Sequence, residues 1–151
     1  MKKKISLLFI LQLLVFFAFK IEQDSLFIQP PNWPAPLYNF ANNPLSKEKI
    51  QLGRALFYDP ILSRDNSISC ASCHSSYTAF AHVDHALSHG IDNKIGTRNA
   101  PALMNLAWNQ TFMWDGAINH LDMQALAPIS NPSEMDEKME HVVLKLQATK
   151  N

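Results

Sequence analysis

The sequence predicts a mainly α-helical domain, and two observations favour this class. The 151-residue chain has nine prolines but only four glycines, which indicates helices joined by proline-rich loops. No run of residues alternates between apolar and polar with the period of a strand. The length suits about one domain, and a hydrophobic content of 47% is enough for a packed core.

Residues 1–20 predict an export signal. Three lysines at positions 2–4 precede an apolar run over residues 5–19, which is typical of a secretory signal peptide. Residues 18–20, Ala-Phe-Lys, form a poor cleavage site, so an uncleaved N-terminal anchor stays open as the alternative. Both interpretations place the rest of the chain outside the cytoplasm.

Residues 21–45 predict a long N-terminal arm. This segment carries five prolines and little periodicity, so we expect it to lie extended on the surface of a domain. The remaining residues, 46–151, are then expected to form that single domain.

The domain is expected to begin with a helix. Ser46 is a suitable N-cap, apolar residues recur at helical spacing between positions 50 and 57, and Asp59-Pro60 ends the pattern. A second, short helix is expected to hold Cys70 to His74, with loops on both sides.

Three further helices are expected. Pro101 suits the first turn of a short helix over residues 102–108. The other two are a helix over residues 119–126, stopped at Pro128, and a last helix that is capped by Ser133 and carries an apolar stripe.

The charge distribution argues against nucleic-acid binding. Four of the 13 basic residues lie within positions 1–20, which leaves nine basic residues against 13 acidic ones in the remainder. A nucleic-acid binder would need a basic patch, so we expect no nucleic acid among the partners.

The chemistry is concentrated in Cys70-Ala71-Ser72-Cys73-His74. This is the C-x-x-C-H attachment signature of a c-type haem. Two thiolates one helical turn apart reach the two vinyl groups of a porphyrin, and the adjacent histidine then lies beneath the iron as its proximal ligand. Haem c is attached outside the cytoplasm, which agrees with the predicted export.

Three other interpretations of this motif stay open. A thioredoxin-type redox pair requires a βαβ context, which the sequence does not show. A plain disulfide is conceivable in an oxidising compartment. A zinc site needs four ligands, which the two cysteines could complete with two of the nearby histidines: His74, His82, His85 and His89.

A haem iron also has a sixth position, and three histidines follow the motif closely: His82, His85 and His89. Any of them could ligate the iron from the far side, although a loop histidine is more often a solvated surface residue. Gly90 gives a tight backbone beside His89, which favours His89 over the other two.

Several short motifs follow one another in a fixed order along residues 51–140. They are Leu52-Gly53-Arg54-Ala55-Leu56-Phe57-Tyr58-Asp59-Pro60, Ile68-Ser69-Cys70-Ala71-Ser72-Cys73-His74, Gly96-Thr97-Arg98-Asn99-Ala100-Pro101, Trp114-Asp115-Gly116, Gln124-Ala125 with Pro128, and Glu134-Met135. Their joint order and spacing resemble those of the N-terminal domain of the bacterial di-haem cytochrome c peroxidases. The wider superfamily includes the di-haem enzymes that mature tryptophylquinone cofactors.

The resemblance implies a cytochrome c-like helical domain around one covalently bound haem. In that family the domain holds the peroxidatic haem, so Cys70 and Cys73 would be its thioether anchors and His74 its proximal ligand. His89 falls where the peroxidases carry a detachable distal histidine, which blocks the iron at rest and leaves on activation.

Four more residues gain roles from the resemblance. Glu134 would be the distal acid–base group and Gln124 its polar neighbour. Trp114 would relay electrons between the two haems, and Asn99 would help to bind a calcium ion. The residues alone also suit plainer interpretations. Glu134 would then be a charge near a helix cap, and Gln124 a solvated amide. Trp114 would be a core side chain, and Asn99 a helix cap.

The activity implied by the resemblance is the reduction of hydrogen peroxide to water. A carboxylate would move a proton from the near to the far peroxide oxygen, and a small redox protein, such as a c-type cytochrome or a cupredoxin, would supply the electrons. The implied location is the periplasm, and a homodimer is among the implied partners.

Three features depart from the family. The chain has one C-x-x-C-H where the family has a second domain with another, so we expect a truncated member. His82 and His85 match no family ligand and are expected to be ordinary loop residues, and Ala117 stands where an arginine is common. The alternative function is a single-haem electron-transfer protein without peroxidase activity, in which His89 or a methionine would be a permanent sixth ligand.

Overall fold

The computed structural model describes residues 26–149, and within them the chain is mainly helical. The β pairing in this part is limited to three isolated bridges, Ser75–Ala81, His89–Ile95 and Phe112–Ile118. The predicted α class is therefore confirmed. The predicted signal peptide or anchor, residues 1–20, lies outside the described residues. Of the helices over residues 26–149, none has the length and apolarity needed to cross a membrane.

The first helix, α1, spans Lys47–Tyr58. The Ser46 hydroxyl caps it by accepting a hydrogen bond from the Lys49 amide at 3.2 Å. Asp59 ends the helix in an extended conformation, and a 3₁₀ turn, Pro60–Leu62, follows at once. Both predicted ends of this helix are confirmed.

The second helix, α2, is the single turn Cys70–Cys73. At its start the Ser69 amide donates to the Ser72 hydroxyl at 3.1 Å. At its end the His74 amide donates to the Cys70 carbonyl at 2.9 Å. The predicted short helix is confirmed, and hydrogen bonds hold it at both ends.

The helix predicted over residues 102–108 is wrong in length. Residues 101–104 are not helical, and only Leu106–Trp108 form a 3₁₀ turn. Asn105, just before that turn, has a left-handed φ of 55°. A right-handed helix cannot continue through a left-handed residue, so the helical pattern begins only after Asn105.

Pro128 does not stop the next helix, contrary to the prediction. Two short helices replace the expected one over residues 119–126, namely α3, Leu121–Gln124, and α4, Leu126–Ser130. Pro128 is the third residue of α4. An amide at that place has no partner within the helix, so a proline is tolerated there.

The last helix, α5, spans Met139–Ala148 and does not begin at the predicted cap, Ser133. Asn131 gives the reason. Its side-chain oxygen accepts from the Ser133 amide at 2.9 Å, and its carbonyl accepts the amides of Glu134 and Asp136, each at 3.0 Å. These bonds wind the segment into turns and compete with the helical hydrogen-bond pattern.

The core of the described domain lies where α4 and α5 meet the 3₁₀ turn after α1. Its four buried members are Leu62, Ile129, Met135 and Val142. Four partly buried apolar side chains pack against them: Leu56, Ile61, Ile68 and Leu146.

A buried ion pair borders this core. The Glu137 side chain is 3% exposed, and its carboxylate lies 2.5 Å from the Lys145 ammonium. Lys145 also donates to the Ser63 carbonyl at 2.5 Å and to the Arg64 carbonyl at 3.2 Å. The pair therefore fixes α5 against the loop that follows the 3₁₀ turn.

Residues 26–45 contain no helix and pack against the middle of the chain. The amides of Leu37 and Tyr38 both donate to the Ala107 carbonyl, at 2.8 and 3.0 Å. The Trp108 indole donates to the Pro34 carbonyl at 2.8 Å. Aromatic contacts add to this junction, and they involve Phe27, Trp33, Phe40 and Trp108.

Candidate active site

Cys70 and Cys73 lie one helical turn apart on α2. Both thiols are unpaired and half-buried. Burial is the main cause that raises the pKa of each thiol, and at Cys73 the nearby Glu134 carboxylate raises it further. The two thiols are therefore available for thioether bonds, and Glu134 lies within electrostatic reach of the second one.

His74 is held in a defined tautomer. Its Nδ1 lies 2.7 Å from the Phe80 carbonyl oxygen. Because a carbonyl only accepts, Nδ1 carries the hydrogen and Nε2 carries the lone pair. Ala79 and Phe80 make this bond possible, since both are left-handed, with φ of 56° and 59°, and turn the chain back towards α2. Burial lowers the pKa of His74, which favours the neutral ring that a metal requires.

Residues 88–96 fold back on themselves and form what we term the His89 hairpin. Three pairings close it: His89 with Ile95, Gly90 with Lys94 and Gly96 with Ser88. Two consecutive left-handed residues, Asp92 and Asn93, make its turn. The Cys73 thiol donates to the His89 carbonyl at 3.7 Å, which places the hairpin beside α2.

The His89 ring has neighbours on two sides. Its Nδ1 lies 2.7 Å from the Asn93 side-chain oxygen. The His85 ring packs against it at an interplanar angle of 42°, with centroids 4.8 Å apart. His85 in turn contacts His82, through Nδ1 and Nε2 at 3.0 Å. The three loop histidines thus form one row of imidazole rings.

Glu134 lies in the turns between α4 and α5. It is half-buried, and this burial raises the pKa of its carboxyl group. The Asn131 side-chain amide donates to Glu134 Oε1 at 2.8 Å, which opposes the increase without cancelling it. The site thus contains a carboxyl group that holds its proton to a higher pH than an exposed glutamate does.

The segment between α4 and α5, residues 131–138, is termed the Glu134 turn, and it is in direct backbone contact with the His89 hairpin. The Ile91 amide donates to the Glu134 carbonyl at 2.7 Å, and the Ile91 side chain is fully buried. A Cβ atom at Gly90 would lie only 2.2 Å from the Ser133 carbonyl oxygen. Only glycine allows this approach, so the chain requires Gly90 where the two segments meet.

Arg64 joins the same two segments from outside. Its Nη2 lies 2.8 Å from both carboxylate oxygens of Asp92 on the His89 hairpin. Its Nη1 pairs with Asp136 in the Glu134 turn, and its amide donates to the Met135 carbonyl. One arginine therefore contacts both segments.

Gln124 lies at the end of α3, and Glu134 lies in the turns before α5. Among residues 26–149 no hydrogen bond joins these two side chains. The Gln124 amide instead contacts the Met113 sulphur at 3.6 Å.

Trp114 and Asn99 contact each other. The Trp114 indole donates to the Asn99 carbonyl at 2.7 Å, and the Asn99 side-chain amide donates to the His85 carbonyl at 3.3 Å. Trp114 is 62% exposed, so it is not a core side chain. These contacts link Trp114 to the row of histidines.

Two asparagines at the site were not predicted. Asn93 contacts His89, and Asn131 holds Glu134. A local signal existed for the first, because an Asp-Asn pair readily adopts the left-handed turn that brings Asn93 back to His89. No local signal predicts the contacts of Arg64, whose partners lie 28 and 72 positions along the chain.

The residues present fit a covalently bound haem. They supply two unpaired thiols one turn apart and, next to them, a histidine whose Nε2 carries the lone pair. Over residues 26–149 no group of three or more His, Cys, Asp or Glu side chains could hold a metal ion. A haem carries its own iron and needs only one protein ligand on its proximal side.

Residues 47–151 match the protein family described as di-haem cytochrome c peroxidase. The chain is 40% identical over 128 residues to the methylamine utilization protein MauG of Methylorubrum extorquens, and 37% identical over 103 residues to the cytochrome c551 peroxidase of Pseudomonas aeruginosa. These matches cover 81% and 68% of this chain but 33% and 29% of those proteins. The chain thus spans about a third of the length of the curated relatives it matches.

Two solved structures are similar to this chain. A MauG-like protein associated with microbial copper homeostasis gives a TM-score of 0.71 at 34% identity, over 81% of this chain and 36% of that one. The diheme peroxidase BthA from Burkholderia thailandensis gives a TM-score of 0.63 at 25% identity, over 70% of this chain and 30% of that one.

Proposed function

Because this chain belongs to the di-haem cytochrome c peroxidase family, we propose that residues 46–151 form a haem c peroxidase domain that reduces hydrogen peroxide to water. A small redox protein, such as a c-type cytochrome or a cupredoxin, would supply the electrons. Relatives named cytochrome c551 peroxidase and cytochrome c peroxidase support this class of substrate and donor. The balanced reaction consumes one peroxide, two protons and two reduced carriers, and it yields two waters and two oxidised carriers.

The observation that carries the proposal is the environment of Glu134. The pKa of its carboxyl group is raised by burial, and the group lies close enough to Cys73 to affect the pKa of that thiol. A general acid–base group works best when its pKa approaches the working pH. Burial at this position therefore suits Glu134 to proton transfer beside a haem attached at Cys73.

When bound, the haem supplies the redox-active iron at which peroxide is reduced. Glu134 would take a proton from the nearer peroxide oxygen and return it to the farther one as the O–O bond breaks. Asn131 holds Oε1, so the proton would be exchanged at Oε2. Gln124, a neutral amide, would orient the peroxide without adding charge.

The ligand assignments follow the same proposal. Cys70 and Cys73 would anchor the haem, and His74 would bind the iron through Nε2. The hydrogen bond from His74 Nδ1 to the Phe80 carbonyl supports this role, because metal-binding histidines commonly donate their other N–H to a backbone carbonyl. His89 would be the detachable distal ligand.

Two further roles concern electron supply and calcium. Trp114 is exposed and would relay electrons towards the haem. Asn99 would offer its side-chain oxygen to a calcium ion, because its amide group is already engaged with the His85 carbonyl.

The proposal also covers location and assembly. Residues 1–20 would act as a signal peptide or anchor and deliver the domain to the periplasm, where haem c is attached. The proposal includes a homodimer, and the only support for it is the resemblance to the family.

The test is Glu134→Gln, measured as peroxide-dependent oxidation of a reduced c-type cytochrome. Glutamine keeps the shape of the side chain but cannot exchange the proton, so turnover should fall about 100- to 10,000-fold while the haem absorption spectrum is unchanged. Glu140→Gln is the matched control, because Glu140 is an exposed carboxylate on α5. Equal turnover in the two variants would remove Glu134 from the mechanism. A haem-loaded protein with no peroxide turnover at all would favour the single-haem electron-transfer function.

A further inference from the structure

The hydrogen bond between His89 and Asn93 fixes the state of the His89 ring. The Asn93 side-chain oxygen lies 2.7 Å from His89 Nδ1. An amide oxygen only accepts, so Nδ1 must carry the hydrogen and the lone pair is left on Nε2. This is the tautomer that can bind iron through Nε2.

The fold of the His89 hairpin brings the two side chains together. Asp92 and Asn93 have φ values of 54° and 56°, and the turn they make returns the chain to pair His89 with Ile95. Asparagine adopts this left-handed conformation more readily than most residues. Asn93 is therefore suited both to the turn and to the contact with His89.

We propose that Asn93 is the positioning residue of His89, setting the tautomer and the orientation of its ring for the iron. The inference rests on the proposed role of His89 as the distal ligand. Metal-binding histidines generally need such an acceptor, and its loss weakens metal binding about 10- to 100-fold. The His85 ring, which is tilted against the His89 ring with centroids 4.8 Å apart, limits its rotation from another side.

The position of Asn93 within the same hairpin has a further effect. Ligand and acceptor lie four residues apart on one closed turn, so they move together when the hairpin moves. The His89 ring would therefore keep the same tautomer and orientation whether or not it binds the iron.

The test uses Asn93→Gly in the full haem-loaded protein. Glycine tolerates the left-handed backbone and removes only the acceptor. Asn105→Gly is the matched control, because Asn105 has the same residue type, a φ of 55° and no side-chain cap hydrogen bond. The readout is the fraction of low-spin iron in the resting protein, by electronic absorption and electron paramagnetic resonance, at equal haem content.

We expect Asn93→Gly to shift the equilibrium between bound and released His89 about 10- to 100-fold towards the high-spin, released form. Asn105→Gly should match the wild type. Asn93→Asp offers a stronger acceptor, so it should restore the low-spin form with altered g values.

Three outcomes separate the two claims. If His89→Ala leaves the spin state unchanged, the proposed role of His89 is wrong. If His89→Ala changes the spin state but Asn93→Gly behaves like Asn105→Gly, the inference about Asn93 is overturned. Should Asn93→Gly fail to fold, an Asn93→Asp protein with wild-type g values would overturn the inference by itself.

Discussion

The buried pair of Glu137 and Lys145 predicts a large, pH-dependent loss of stability in Glu137→Gln. The Glu137 carboxylate accepts from the Lys145 ammonium at 2.5 Å and from the Lys138 amide at 2.9 Å. Glutamine keeps most of the shape but leaves the Lys145 ammonium without a negative partner. Because the Lys145 side chain is only 24% exposed, water can replace that partner only in part.

The size of the expected loss of unfolding free energy follows from this burial. Removing one partner of a buried ion pair costs about 3–5 kcal/mol of unfolding free energy. Lys145 keeps the carbonyls of Ser63 and Arg64 as acceptors. We therefore expect the low end of that range, about 3 kcal/mol at pH 7.

The sign of the pH dependence comes from the pKa of Glu137. Burial alone would raise this pKa, but the hydrogen bonds from Lys145 and from the Lys138 amide outweigh burial and lower it. A carboxyl group whose pKa is lower in the folded state stabilises the fold above its unfolded pKa, about 4.3. This stability is lost as the pH falls through the folded pKa. The difference between wild type and Glu137→Gln should therefore shrink below about pH 4.

The assay is denaturant unfolding of both haem-loaded proteins, followed by far-ultraviolet circular dichroism from pH 7 to pH 3. Glu140→Gln changes an exposed carboxylate on α5, three residues after Glu137, so it should stay within about 0.5 kcal/mol of the wild type. A loss below about 1 kcal/mol at pH 7 would refute the reasoning, as would a loss that is the same at pH 7 and at pH 3.

Substitutions at Gly90, Gly53 and Ser46 test other contacts by the same denaturation assay. Gly90→Ala should cost about 3 kcal/mol, because its Cβ would lie 2.2 Å from the Ser133 carbonyl oxygen; an unchanged stability would contradict this close approach. Gly53→Ala in α1 should instead raise stability by about 0.5–1 kcal/mol, since a Cβ there meets nothing within 4 Å, and a loss would count against the open environment. Ser46→Ala should cost about 1 kcal/mol and Ser46→Asp should recover most of it; equal stability of all three proteins would mean that the hydroxyl does not cap α1.

Elements that depend on neighbouring residues were predictable from the sequence. Helix α1 begins after Ser46 and ends at Asp59, because a serine cap and a following proline act within one turn. The turn that holds Cys70 and Cys73 was predictable for the same reason, since the motif itself requires that spacing.

The errors arose where specific hydrogen bonds, and not hydrophobic spacing, decide the backbone. Asn131 collects three hydrogen bonds from residues after it and so delays the start of α5 beyond Ser133. Asn105 turns left-handed just ahead of Leu106–Trp108, where the Ala107 carbonyl receives the amides of residues 37 and 38. Neither set of partners is encoded by hydrophobic periodicity.

The candidate site shows the same division. The cysteines, His74, His89 and Glu134 could be proposed as site residues from the sequence because each lies in a short motif. The contacts of Arg64 with Asp92 and Asp136 could not, because only the folded chain brings these residues together.

The hydrogen bond between the Ile91 amide and the Glu134 carbonyl joins the His89 hairpin to the Glu134 turn. The free energy of binding at one segment therefore depends on the position of the other. If the His89 hairpin and the Glu134 turn move together, a molecule that prefers one position of the hairpin shifts the turn by the same free energy, and the reverse holds equally. On the proposed roles, release of the iron by His89 and positioning of the Glu134 carboxyl group would then belong to a single equilibrium. On the same roles, a ligand of Glu134 that prefers the arrangement with His89 displaced would weaken the binding of His89 to the iron without touching the histidine.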